Sequence, residues 1–155
     1  MKKIICALFL TGSIAFTAVS GWAAESTPFI LNVYNRVVDM SDLPKQPYYE
    51  EDCLMVPLRK VSEALGYQVG WDSTQNAVTI EDSIQKAILR NGEKTVDFQG
   101  KLQIIDLSRE IQNPKETVIS EGCTYVPLSF FDEFLNTTKV EGNNIFVDPD
   151  MCTVD

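Results

Sequence analysis

Histidine is absent from all 155 residues. That removes the usual general base of serine and cysteine triads and the commonest ligand of zinc sites. No Cys-x-x-Cys pair marks a dithiol redox centre, and no EF-hand spacing marks a dedicated calcium loop. Basic residues are few: Lys and Arg total 13 against 22 Asp and Glu, a net charge of −9. A chain this acidic repels phosphate backbones, so the partner is not expected to be nucleic acid. After residue 24 no apolar run approaches the ~20 residues that span a bilayer.

What stands before residue 24 is different. Met1-Lys2-Lys3 is basic, Ile4 to Val19 is mostly apolar, and Gly21-Trp22-Ala23-Ala24 supplies small residues ahead of Glu25. This is the tripartite plan of a secretory signal peptide, cleaved after Ala23 or Ala24. The run is too short for a retained anchor. The expectation is a signal peptide over 1–24 and an exported product over 25–155. That product would be secreted or associated with the cell envelope, with no transmembrane anchor after cleavage. Its length of about 130 residues suits one domain with one core.

Export would put Cys53, Cys123 and Cys152 where disulfides persist. An odd count allows one internal bridge and one remaining thiol, or a link to a partner. A Cys53–Cys123 bridge would close a loop worth roughly 4 kcal/mol on the loop-entropy model. Cys152 could reach either one, and buried free thiols are the other reading. Spacing does not choose among them.

Val56-Pro57-Leu58 recurs as Val126-Pro127-Leu128, and a cysteine precedes each valine by three. Proline suits the first position of a helix, where its missing N–H costs nothing. Leu58, Val61, Ala64 and Leu65 share one face, and Gly66 tolerates the positive φ of a helix stop. Leu128, Phe131, Phe134 and Leu135 repeat the pattern, with Asn136 in the closing position. Val61, Leu65, Phe131 and Leu135 are expected in one continuous core.

Strands are expected over Phe29–Val33 and Val37–Val38 with a turn at Asn35-Arg36, then at Cys53–Val56. Tyr67, Val69 and Trp71 alternate with polar residues as a half-buried strand, and Ala77–Ile80 returns. A second unit opens with Ala87–Arg90 and Lys94–Phe98 around a two-residue Asn91-Gly92 turn. Val118–Ile119, Cys123–Val126, Val140 and Ile145–Val147 follow. The halves run over about 28–82 and 84–148. The second is longer by about a dozen residues within 100–114, where Asp106 to Ile111 could form a helical turn. The whole reads as one β-α-β theme used twice.

Asp52-Cys53-Leu54-Met55-Val56-Pro57-Leu58-Arg59, then Ala64-Leu65-Gly66, then Val69-Gly70-Trp71-Asp72, resembles the copper amine oxidase N-terminal domain-like family, or stalk domains. Glu121-Gly122-Cys123-Thr124-Tyr125-Val126-Pro127-Leu128 resembles it again. Asp52 stands where glycine is usual. The second copy has Ser129 for the arginine, Asn136 for the glycine, and no Trp-Asp. The resemblance implies an α+β fold, an antiparallel sheet curled around two short helices. It also implies an exported accessory module with no catalytic activity and no cofactor. Amine oxidation itself needs imidazole ligands for copper, which this chain lacks.

The function expected is therefore a non-catalytic binding or spacer module at the bacterial cell envelope. Its partner would be a cell-wall glycan or another envelope protein. The alternative is a small acid-type glycan hydrolase using Glu50, Glu51 or Asp52; Asp148 and Asp150 form a second acidic pair. That chemistry needs two carboxylates facing each other at roughly 5–10 Å. Trp71 with Asp72, flanked by Tyr67, could be a sugar-stacking surface. Its structural alternative is a core aromatic beside a turn-starting aspartate.

Overall fold

Alternation of apolar and polar residues turns most of this chain into strands, and short polar turns reverse it every few residues. The computed structural model describes residues 27–150; the expected signal peptide and Cys152 lie outside them. The first half contains β1 (Ile30–Val33), β2 (Arg36–Val38), β3 (Tyr48–Glu50), β4 (Cys53–Pro57), helix α1 (Leu58–Ala64), β5 (Gln68–Asp72) and β6 (Ala77–Glu81). The second contains β7 (Gln85–Arg90), β8 (Thr95–Gly100), β9 (Arg109–Gln112), β10 (Val118–Ser120) and β11 (Cys123–Pro127). A 3-10 helix (Leu128–Phe134), β12 (Asn136–Glu141) and β13 (Asn144–Pro149) complete it. The molecule is thus predominantly β, and its two helices are short.

Three sheets form, in the orders β12-β13-β1-β2, β10-β11-β4-β3 and β5-β6-β7-β8-β9. Neighbours are antiparallel except β1 and β13, which run parallel with Leu31 against Ile145 and Val33 against Val147. The expectation of antiparallel pairing fails at that one seam, where strands from opposite ends of the described chain meet. Each outer sheet joins a hairpin that follows a helix to a hairpin from the other half.

One buried cluster draws on all three sheets. It includes Leu31, Val33, Ile145 and Val147 from the first, Leu54, Val56 and Val126 from the second, and Val78, Ile80, Leu89, Val96 and Phe98 from the third. Leu58 and Val61 of α1 and Phe130, Phe131 and Phe134 of the 3-10 helix join it. Each such side chain stabilises the fold by about 1.5–3 kcal/mol, and neither helix would hold without that packing.

Several local expectations are corrected. Pro57 is not the first helical residue; it stays extended (φ −70°, ψ 112°) as the end of β4, paired with Tyr125, and Leu58 begins the helix. The second helix is 3-10 rather than α, held by the contacts of Phe130 with Phe131 and Phe134 at ring separations of 5.3 and 5.5 Å. Leu135 is 62% exposed rather than buried. It takes the left-handed cap itself, and Asn136, expected to do so, turns into the core.

The first hairpin turns at Tyr34 and Asn35, both at positive φ, one residue before the expected place. The β7–β8 connection has four residues, not two. Asn91 and Gly92 are engaged elsewhere: the Asn91 carboxamide accepts from Ile119 N at 2.8 Å and Gly92 N donates to Thr117 O at 2.8 Å. Asp106 to Ile111 makes no helical turn. From Arg109 it is a strand, because Arg109 and Ile111 alternate with Glu110 and Gln112 and pair with β8.

Candidate functional site

Helix α1 starts where β4 ends, so Pro57, Leu58, Arg59 and Lys60 emerge together at one corner. The edge strand β5 passes this corner and contributes Val69, Gly70 and Trp71. The β10–β11 hairpin brings Ile119, Gly122, Cys123 and Thr124 from the other side, and Asp42 and Leu43 close the end. These residues line a cleft of about 330 Å³. Leu58 and Val78 are buried beneath it. At its charged rim Lys60 Nζ contacts Asp42 Oδ1 at 2.7 Å. That hydrogen bond raises the Lys60 pKa and lowers that of Asp42. Arg59 is tied to Glu63 at 3.2 Å.

Trp71 is the side chain that distinguishes the cleft. It pairs with Val78 across the ladder, on the core-facing side of its sheet. Because β5 is the edge strand, nothing continues past it, and Trp71 remains 55% exposed. The reading as a core aromatic is therefore corrected. Asp72 does start a turn: its carboxylate accepts from Thr74 N at 2.9 Å, Gln75 N at 3.2 Å and Gln75 Nε2 at 3.1 Å. Those bonds, from the Gln75 amide first, hold its pKa below the ordinary 3.8.

Tyr67 does not join Trp71. It is half-buried with its ring 5.3 Å from that of Phe134, and its hydroxyl donates to Asn136 Oδ1 at 3.1 Å. Burial pushes its pKa up. Tyr67, Trp71 and Asp72 thus do not form one sugar platform: the first is packed, the third is spent on its own turn, and Trp71 alone faces the cleft.

Cys53 and Cys123 are free and half-buried. The β4–β11 register pairs Met55 with Pro127, Val56 with Val126 and Pro57 with Tyr125. Cys53 lies beyond one end of that ladder and Cys123 beyond the other, roughly 20 Å apart at 3.4 Å per residue. A disulfide needs Cα atoms within about 7 Å, so the Cys53–Cys123 bridge is corrected. Cys123 stands at the cleft rim, whereas Cys53 lines a separate depression with Glu51, Asp52 and Lys115. Burial raises the Cys53 pKa.

Glu50, Glu51 and Asp52 are consecutive residues at the tip of the β3–β4 hairpin, and Glu51 is 3.0 Å from Lys115. They do not face one another across a cleft, as glycoside hydrolysis would require. Asp150, just past β13, accepts from the Thr137 hydroxyl on the neighbouring strand β12, in a different sheet from the β3–β4 hairpin. Among the described residues no group of three or more Cys, Asp and Glu could hold a metal. Two features escaped the sequence reading. One is Ile119 as a cleft wall. The other is the exposure of Leu102, Ile104 and Ile105 in the long loop before β9; excess length was the only sequence signal for it.

The model of the copper amine oxidase N-terminal domain family matches residues 33–145. A curated protein of Brevibacillus choshinensis described as "Protease inhibitor" is 29% identical over 138 residues, which cover 87% of this chain and 39% of that protein. The chain therefore spans about two fifths of the length of that relative. No solved structure matches significantly.

Proposed function

This chain belongs to the copper amine oxidase N-terminal domain family, and from that premise we propose that it is an exported, non-catalytic module that binds another protein at the cell envelope. The observation that carries this is the cleft at Trp71: an apolar floor, a half-exposed indole, and rim charges already tied in ion pairs, Lys60 with Asp42 and Arg59 with Glu63. An indole held this way offers a large contact area at low entropic cost, the usual composition of a binding anchor. The cleft runs between β5 and β10, each an edge strand of its sheet. A protein segment fits such a place better than a sugar ring, because Tyr67 and Asp72 do not flank the indole. The relative described as a protease inhibitor supports a protease as the partner.

Residues 1–24 are a signal peptide, and 25–155 are one domain made of two degenerate copies, about 28–82 and 84–148. The copies meet at their Val-Pro-Leu joints. Only the first keeps a tryptophan, so the module has one such cleft rather than two.

Binding of the purified exported form to secreted proteins and to cell-wall glycans of its own cell tests the proposal. Without residues 1–24, Trp71 is the remaining tryptophan of the two in the chain, so its fluorescence reports on the cleft. A blue shift with a secreted protein is expected, and immobilised Trp71→Ala should capture less of that protein than the parent does. Binding to glycan alone would replace the protein-binding reading, and binding to neither would leave a spacer.

A further inference from the structure

Between β8 and β9 the chain leaves the sheet over residues 101–108. Leu102 is 42% exposed, Ile104 95% and Ile105 57%. Three large aliphatic side chains within four residues are left partly or almost wholly in solvent, and clustered exposure of this kind marks interaction sites.

The loop is fastened at its neck. Lys101 N donates to Ile84 O at 2.8 Å, and Gly100 N donates to Ser108 Oγ at 3.1 Å. A Cβ on Gly100 would fall 2.7 Å from Leu107 N, so the two arms meet where only glycine fits. Beyond the neck Arg109 lies 4.1 Å over the Phe98 ring and donates to Gln85 Oε1 at 2.9 Å and Glu133 O at 2.8 Å. An apolar tip on a braced neck loses little freedom on binding.

The flanking cations are occupied. Lys101 Nζ donates to Asp82 O at 2.7 Å, and Arg109 is held as described. Gln103 and Asp106 are exposed beside the aliphatic residues, but the Asp106 carboxylate is turned back to accept from Ser108 N at 2.9 Å, and Ile104 is the most exposed large apolar side chain of the loop. A protruding single isoleucine on irregular backbone fits a concave apolar slot rather than a flat surface, and the substrate cleft of an endopeptidase is such a slot.

We propose that loop 101–108 enters the substrate cleft of an extracellular endopeptidase with aliphatic specificity, Ile104 filling its specificity pocket and blocking the enzyme without reaction. This rests on reading the module as a binder of another protein, but it uses a surface separate from the Trp71 cleft.

The purified protein is titrated against subtilisin, pancreatic elastase and trypsin with small chromogenic substrates. Inhibition of subtilisin or elastase, and not of trypsin, is expected. Ile104→Asp should weaken it at least about tenfold, with an unchanged circular dichroism spectrum. Val37→Asp, at a position 71% exposed on β2, should inhibit as the parent does. Four results overturn the proposal: no inhibition of either enzyme, equal inhibition by Ile104→Asp, cleavage in the loop without inhibition, or self-association abolished by Ile104→Asp. Fluorescence of Trp71 with secreted proteins reads the other surface. Its loss with inhibition intact removes the cleft reading, and the reverse removes the loop alone.

Discussion

Val56 lies directly opposite Val126 in the antiparallel β4–β11 pair, and both side chains are fully buried. Each strand then passes through a proline into its own helix, so the two helices leave from opposite ends of this ladder. Their hairpins go on to build the two flanking sheets. Packing at this pair therefore bears on all three sheets. Val56→Ala and Val126→Ala should each destabilise by about 2 kcal/mol, the loss of two methyl equivalents plus an incompletely filled cavity. Because the two sites share that cavity, the double variant should cost less than the sum. Urea denaturation of the four proteins measures this, and strict additivity would show that the two valines do not pack as a unit.

Acid should act through the turns. Asp72 is held below its ordinary pKa by the Gln75 and Thr74 amides, and Asp39 and Asp106 by the amides of Ser41 and Ser108. A carboxylate with a lower pKa folded than unfolded stabilises above the unfolded value. That contribution is lost as pH falls through the folded value. Stability should therefore drop from about pH 4 downward. Asp72→Asn keeps an acceptor for Thr74 N and Gln75 N but cannot protonate. Its denaturation midpoint should fall less between about pH 4 and pH 2, with little change at neutrality. An identical acid slope in the variant and the parent would rule out the Asp72 contribution.

What could be read in the residues follows a physical division. The change from strand to helix at Val-Pro-Leu, expected one residue too early, the stop at Gly66 and the Asp72 turn were legible because each is decided by the backbone preferences of two or three adjacent residues. Trp71 was placed on the right face by alternation. Its exposure was not legible, since that depends on β5 being the last strand of its sheet. The parallel seam between β1 and β13 carries no local signal, because its partners lie more than a hundred residues apart. Trp71 stood out in the sequence as a stacking surface and Cys123 as a disulfide candidate, but the cleft that both line was not legible. Ile119 reaches it through a hairpin whose position is fixed by Asn91 and Gly92 of another sheet.

The end of the 3-10 helix gives the sharpest test of these local rules. Leu135 adopts φ 57° and ψ 47° with its side chain mostly in solvent. A left-handed residue with a Cβ costs roughly 1–2 kcal/mol, and little burial offsets it here. The first half avoids this: Leu65 is right-handed at φ −80° and packs partly on the core, while Gly66 carries the positive φ of 86°. What holds Leu135 in place is the next residue. Asn136 is buried and donates to Phe131 O at 2.8 Å and Phe134 O at 3.3 Å, while it accepts from the Tyr67 hydroxyl. Leu135→Gly should therefore stabilise by about 1 kcal/mol and raise the melting temperature by roughly 3–5 °C. Leu65→Gly should destabilise, because it removes packing and relieves no strain. Calorimetry on the two variants decides the matter, and a lower melting temperature for Leu135→Gly would mean that the Leu135 side chain contributes more than its backbone costs.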